Sequence, residues 1–544
     1  MTVTEVDYVV VGAGSAGCVL ADRLTACGRH RVLVLEAGGS DRRLAIRVPL
    51  GYALTFADRR LTWRYRTEPD PGLNGRSASW PRGRVIGGCS SINAMAYVRG
   101  LPEDFDDWER QGAAGWNWRA ARKTFADLES EYWTSADGGS SGRGSGPVPV
   151  GDLGSGMHPF SRHFMAAAAD LGWPVNGPDR HMDGEGVAFY RSTVRDGRRV
   201  SAADAFLSPA RRRPNLQIVS NAVVTRLEMG GNRAPSLRFR RGDCEAEVIV
   251  RGEIILSAGA INSPHLLQLS GIGPADTVAA QGIRVVKDLQ AVGRGLQDHL
   301  AVTHHFEATE PTLNTRLSGP TRILFAGLRY LLTRGGPLAV PINQVGGFVK
   351  SMASRAVPDV QIYCNPATYT IPDRGLPRMN ATPGFSLSAQ PCRPTSRGRV
   401  ALTSPDPRIA PSIEPNSLAS DADIEGAIAA GRIVAALAAT PTLRAVTRGG
   451  SASGVPLTDD AAFLEDFRQR ASTVFHPCCT CRMGNDERTS AVDSRLRVHG
   501  LRGLRVVDAS AFPSITSGNI NAPTLMLAHR AADMILEDAR QRAR

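Results

Sequence analysis

One histidine and three cysteines fall within the stretch 476–481 of "HPCCTCRMG" (476–484), in a chain of 544 residues that holds nine cysteines in all. Two kinds of chemistry are open to such a cluster. Thiolate and imidazole both bind zinc, and a neutral imidazole, with a pKa near ~6.5, can accept a proton at physiological pH. Neighbouring Cys478 and Cys479 rarely point at one ion, and no distant C-x-x-C pair completes a closed tetrahedral site, so no metal is expected. A redox-active thiol beside the electropositive Arg482 is a further option. The proton acceptor is the reading that the rest of the chain has to support or deny.

A second chemical pattern lies at the other end. Gly12, Gly14 and Gly17 in "GAGSAG" are followed, nineteen residues on, by Glu36. The first glycine permits a tight turn, the second lets backbone approach a pyrophosphate, and the third allows close helix packing. Ser15 and Ala16 lie within this turn, ahead of a helix whose free N–H groups face the phosphates, while Glu36, with Ala37 after it, is placed to accept hydrogen bonds from a ribose. No arginine at the tip of that strand awaits a 2′-phosphate, which disfavours NADP.

These residues need particular elements to hold them. "DYVVV" (7–11) is short, β-branched and apolar without alternation, a buried parallel strand. "CVLADRLTACG" places Val19, Leu20 and Leu24 at helical spacing and stops at Gly28. "RVLVLEAGG" is a second strand, so the segment predicts a complete βαβ unit. "GGSSGRGSG" (138–146) reads as a loop or linker, and "QIVSNAVVTRL" and "AEVIVRGEIILSAG" as further strands. "TLMLAHRAADMILEDA" has helical periodicity, with Asn521 as its N-cap and Pro523 in its first turn.

Length and composition bound the rest. At 544 residues and 42% hydrophobic, the chain must form at least two domains. Its net charge of +12 rests on 64 basic residues, of which only Lys123, Lys287 and Lys350 are lysines. The arginines are dispersed, which reads as solvated surface, and no nucleic-acid partner is expected. No secretory signal is recognisable, no apolar run is long enough to span a bilayer, and the odd cysteine count argues against a disulfide framework. A cytoplasmic location is therefore expected, with association at a membrane surface left open.

The segment 67–100, with "GRVIGGCSSIN", contains a second glycine turn where backbone could lie against a flat or charged ligand. Together with "GAGSAG", "EAGG", "GAINSPHLLQLSGIGP" (259–274), "VGRGLQDH" (292–299), the His476 segment and "VVDASAFPSITSGNINAPT" (506–524), it resembles the glucose–methanol–choline family of FAD-dependent oxidoreductases. These islands span nearly the whole chain in family order. The resemblance implies an α/β fold, α+β overall. A Rossmann-like FAD-binding domain is assembled from 1–154, 216–299 and 471–544, and a substrate domain with a mainly antiparallel sheet and helices from 155–215 and 300–470. It also implies that Val224 holds the adenine through its backbone, and that Trp63, Val85, Gly88, Asn93, Ala94, Met95, Ala96, Asp508 and Ala509 line the FAD channel. Some members attach flavin covalently through a histidine in the second glycine loop; Ile92 stands at the matching position, so noncovalent FAD is expected.

By the same resemblance His476 is the general base for an alcohol hydroxyl and Asn519 its hydrogen-bonding partner, while flavin N5 takes the hydride. Asn521 and the helix it opens would turn their positive end toward the reduced flavin. Cys479 stands where the family has glycine, so the local backbone either avoids positive φ or carries modest strain, and its side chain could face the cavity. The implied function is oxidation of a small-molecule alcohol to an aldehyde or ketone, with oxygen or another acceptor reoxidising the flavin. A hydroxynitrile-lyase-type enzyme that keeps FAD without net redox is the alternative. Phe348, Tyr363 and Tyr369 are aromatic candidates for the substrate pocket. No carboxylate cage for a quaternary ammonium is apparent, which makes choline a poor candidate.

Overall fold

The computed structural model describes residues 4–134, 140–177, 180–370, 378–451 and 459–543. The chain opens with strand β1 (Thr4–Val11), helix α1 (Ser15–Thr25) and strand β2 (Val32–Glu36). β1 pairs in parallel with β2 on one side and with the strand Cys244–Leu256 on the other. It is a central strand, and successive residues on its opposite faces, Val9 and Val10, are both fully buried, which is why its run of valines does not alternate. Leu216–Ser220 extends the parallel part beyond β2, and Leu504–Val506 joins it beside Cys244–Leu256. Val223–Gly230 and Arg233–Arg241 complete this sheet as an antiparallel meander.

A second seven-stranded sheet has the order Thr447–Ser451, Leu300–Ala308, Gly384–Pro391, Val360–Asn365, Val345–Val349, Gly186–Phe189, with Ser472–Thr473 pairing the start of Leu300–Ala308. All these pairings are antiparallel. Helices Ser161–Asp170 and Asp421–Ala439 cover it, with Phe164, Ala430 and Val434 sharing a core with Phe385 and Leu387. The expected combination of a Rossmann-like sheet with an antiparallel sheet and helices is the fold of this chain.

Two longer helices matter below: α2 (Pro320–Thr333) and the near-terminal α3 (Asn521–Ala543). Asn521 is the first residue of α3 and not its N-cap, because the amide of Thr524 donates to the carbonyl of Ile520 at 3.1 Å and moves the cap back one residue. The glycine–serine stretch also departs from expectation. Residues 138–139 lie outside the described residues, but Ser140–Arg143 is a strand antiparallel to Glu129–Thr134. Glycine favours that pairing, since a Cβ at Gly142 would lie 2.5 Å from the carbonyl oxygen of Glu131. The same small sheet carries Val148–Asp152 paired with Arg191–Ser192, so it bridges the boundary expected at 154/155.

Candidate active site

The two glycine turns meet face to face. Gly12 sits at φ +102°, and a Cβ at Gly17 would be 1.9 Å from the carbonyl oxygen of Gly12, so both glycines serve the strand-to-helix turn itself. Gly88, at φ +53°, approaches so closely that a Cβ there would lie 2.7 Å from Gly14 Cα. At Gly14, by contrast, an added Cβ would meet nothing nearer than 3.9 Å. Packing within the protein does not require glycine at 14, and the remaining requirement is a ligand passing close to its backbone.

Glu36 is buried, and its carboxylate accepts from the amides of Ala13 at 2.8 Å and Gly38 at 2.7 Å. Burial pushes the carboxyl up to about 7 against those two bonds. Each carboxylate oxygen keeps a free lone pair for a ribose hydroxyl. The second glycine loop is pinned by Arg199, a buried guanidinium that donates to the carbonyls of Ile46, Ser90 and Asn93 and to Asn93 Oδ1 at 2.6–3.1 Å. Burial without a carboxylate partner lowers Arg199 to about 9. No motif in the sequence distinguishes this arginine from its neighbours.

A continuous cleft of about 2970 Å³ runs from this cradle to the second sheet. Gly12, Gly14, Ser15, Ala16, Glu36, Ala37, Trp63, Gly88, Asn93, Ala94, Met95, Ala96, Val224, Asp508, Ala509, Asn519, Asn521 and His476 all line it. Gly17, Val85 and Pro523 stand behind the wall: Gly17 is packed on Gly12, Val85 lies in a cluster with Ile46, Leu61 and Ile92, and Pro523 is buried in the first turn of α3. Asp508 is fixed by Ser263 Oγ, Ser510 and the amide of Gly259. Ser15 Oγ donates to Asn521 Oδ1 at 2.7 Å, tying the starts of α1 and α3 together at the cleft wall. The glycine turns, an acidic residue at the strand tip, and the open side of Gly14 are the set of features a dinucleotide needs, so the residues present fit FAD.

At the far end, His476 lies on a loop strapped to Gln297–His299. Cys478 and Gln297 exchange backbone hydrogen bonds at 3.0 and 3.2 Å, and the amide of Val474 donates to the carbonyl of His299. The amide of His476 donates to Asp298 Oδ1 at 2.7 Å, and Thr473 Oγ1 donates to Asp298 Oδ2. Burial lifts Asp298 to about 6. The segment 297–299 leads directly into the strand Leu300–Ala308, so the imidazole is held where the two sheets adjoin.

The ring nitrogens form a chain whose protonation can be worked out. His299 Nε2 lies 2.8 Å from the carbonyl oxygen of Cys392, which can only accept, so Nε2 carries the proton. Burial holds His299 at about 4, hence neutral, and its Nδ1 is bare. His476 Nδ1, 3.0 Å away, must therefore donate to His299. Burial, then His299 and Arg82, keep His476 well below its ordinary value, so it too is neutral and its Nε2 holds a free pair. That pair faces Asn519 Nδ2 at 3.1 Å. The geometry brings His476 and Asn519 together as expected and adds His299 and Asp298. The sequence marks "LQDH" as part of a motif, but nothing local to it shows which side chains Asp298 and His299 reach.

The cysteines turn away from this chemistry. Cys479 has φ +70°, so the strained alternative holds, at a cost of about 1–2 kcal/mol for a non-glycine residue. Its side chain does not face the cavity: it is buried, with Sγ donating to Gln297 Oε1 at 3.4 Å and 3.3 Å from Cys478 Sγ. Burial pushes the thiols of Cys478 and Cys481 far up, so neither is a thiolate. Among the described residues, the His/Cys/Asp/Glu group close enough to share an ion is Glu129, Glu131 and His181, and Arg99 and Arg191 already pair with those carboxylates. Tyr363 and Tyr369 line the cleft, whereas Phe348 is fully buried behind it, against Gly518.

Comparison with known proteins identifies the family of this chain. Models of the GMC oxidoreductase family match residues 6–301 and 394–528. The chain is 40% identical to an alcohol dehydrogenase (acceptor) of Pseudomonas putida, over 97% of this chain and 95% of the relative. It is 37% identical to an oxygen-dependent choline dehydrogenase of Vibrio vulnificus (strain YJ016), over 97% and 94%. Among solved structures, pyridoxine 4-oxidase from Mesorbium loti superimposes with a TM-score of 0.86 at 32% identity, covering 98% of this chain and 99% of that one. These relatives are dehydrogenases and an oxidase, and they lend no support to the lyase alternative.

Proposed function

We propose a mechanism from the premise that this chain belongs to the GMC oxidoreductase family and is an FAD-dependent enzyme that oxidises a CH–OH group. The observation that carries it is the chain of nitrogens from Cys392 through His299 and His476 to Asn519. An alcohol hydroxyl that enters between His476 Nε2 and Asn519 Nδ2 donates its proton to the free pair of Nε2. Its oxygen accepts from the amide of Asn519, which steadies the negative charge as the proton leaves. Nδ1–H of His476 stays on His299, a positioning residue that keeps the basic nitrogen turned to the cleft. FAD, when bound, supplies the hydride acceptor at N5. Asn521 and the N-terminus of α3 line the same wall and favour negative charge on that side.

The FAD-binding part is assigned to 1–154, 216–299 and 471–544 and the substrate-facing part to 155–215 and 300–470, because the parallel sheet draws its strands from the first set and the antiparallel sheet draws mainly from the second. FAD is held noncovalently: Ile92, packed with Val85 and Leu61, offers no atom for a bond to the ring. Acid precipitation then leaves all flavin in the supernatant. Nine free cysteines favour the reducing cytoplasm.

The substrate is an uncharged alcohol with an apolar or aromatic body. Phe56, Ile342, Leu338, Tyr363 and Phe475 line the cleft. Of the carboxylates that line it, Asp508 is saturated by hydrogen bonds, Asp466 is paired with Arg470, and Glu36 belongs to the nucleotide cradle. An anaerobic alcohol panel tests this directly. Aromatic or long-chain alcohols should bleach the oxidised flavin and choline should not; a substrate cleaved while the flavin stays yellow would revive the lyase reading. Admitting air afterwards shows whether oxygen or another acceptor takes the electrons.

A further inference from the structure

Helix α2 is packed inside out. Ala326 and Tyr330 are buried beneath it, while Leu324, Phe325 and Leu332 are 69, 70 and 75% exposed, and Ile323, Leu328 and Leu331 are more than half exposed. At 100° per residue, Leu324, Phe325, Leu328, Leu331 and Leu332 share an arc of roughly 120° centred opposite the buried pair. A contiguous apolar face of this kind on a soluble chain marks a contact surface, since scattered exposed leucines do not align.

Its charge is one-sided. From Pro311 to Val349 the sequence has no aspartate or glutamate but has Arg316, Arg322, Arg329 and Arg334. None of the four forms an ion pair among the described residues, and Arg322 and Arg329 lie two turns apart along one flank of the apolar arc. Ile323 of the helix lines the cleft, as do Leu317 and Leu338 beside it and the substantially exposed Leu44 and Leu54. No helix among the described residues is long and apolar enough to cross a membrane. An outward leucine–phenylalanine face flanked by unpaired arginines is the pattern of a helix lying in a lipid interface, and anionic headgroups complement its charge.

We propose that the outward apolar face of α2 docks the enzyme onto an anionic phospholipid surface. Holoenzyme is sedimented with vesicles of phosphatidylcholine plus phosphatidylglycerol, or of phosphatidylcholine alone, and bound protein is read from flavin absorbance. Wild type should bind the mixed vesicles more tightly, and Phe325→Ser/Leu332→Ser should lose at least about tenfold in affinity, the loss expected on removing two large apolar side chains from a buried interface. Arg322→Glu/Arg329→Glu should abolish the preference for anionic lipid while leaving flavin content and thermal midpoint at wild-type values. Absence of vesicle binding by wild type overturns the proposal, as does equal binding by both variants. A dimer in sedimentation velocity that Phe325→Ser/Leu332→Ser dissociates, without vesicle binding, would assign the face to a second copy of the chain instead. Because binding is read without turnover, its failure leaves the alcohol oxidation reading untouched.

Discussion

Replacing His299 by glutamine separates the orientation of the base from its presence. A glutamine amide nitrogen can take the place of His299 Nε2 and keep the 2.8 Å bond to the carbonyl of Cys392, but it has no acceptor at the position of Nδ1. The Nδ1–H of His476, now 3.0 Å from its acceptor, is then left buried and unpaired. An unpaired buried donor costs about 1–3 kcal/mol. The ring can avoid that cost by moving its proton to Nε2, the nitrogen that must be bare to accept from the alcohol. Either way kcat/KM falls roughly 5- to 160-fold by the same free energy. His299→Asn retains an acceptor oxygen near Nδ1 and should recover most of the loss. The assay is anaerobic flavin reduction by a good alcohol as a function of pH. His299 is one of the groups that lower His476, so the acid limb of kcat/KM should also move upward in His299→Gln. If His299→Gln matches wild type in rate and pH profile, the tautomer argument fails. If His299→Asn loses as much with full flavin content, His299 acts through packing alone.

Other outcomes follow from the same geometry. His476→Ala should lower kcat/KM by about 10²–10⁴, the usual yield of a general base, with the flavin spectrum unchanged. In the wild type the base works unprotonated, and burial lowers His476, so activity should persist below ~6.5 and fall only at more acidic pH; an acid limb above that value contradicts the burial of the ring. Glu36 accepts from ribose best as a carboxylate, so FAD affinity of the apoprotein, read by fluorescence quenching, should rise as pH climbs through about 7, and a flat profile removes Glu36 from that role. Cys479→Gly should leave kcat and KM as they are, because its sulfur is bonded to Gln297 behind the cleft; an altered alcohol preference would place it in the pocket after all.

The local parts of this protein were legible from residue order. β1, α1 and β2 formed at the positions their patterns specify, because strand, glycine turn and helix are decided within a few residues. The start of α3 was off by one residue, and Ser140–Arg143 became a strand although its composition reads as a linker, since pairing with Glu129–Thr134 outweighs weak local preference. Cys479 could be singled out as a departure, but whether it would be strained or avoid strain, and which way its sulfur points, depended on Gln297 and Ala509 across the fold.

Residue types and spacing by themselves marked an N-terminal glycine turn shaped for a dinucleotide and an imidazole suited to take a proton. Tertiary structure alone decided which of its nitrogens is left with a free pair. That choice runs through Cys392, His299, His476 and Asn519, side chains and a carbonyl brought together from four separate segments. A hydrogen-bond chain fixes a tautomer only when its members lie within about 3 Å of one another in a site shielded from water, and no one-dimensional pattern carries that distance. The outward face of α2 is the same lesson on the surface: its periodicity names a helix, and only the packed fold shows which of its two apolar sides was left uncovered.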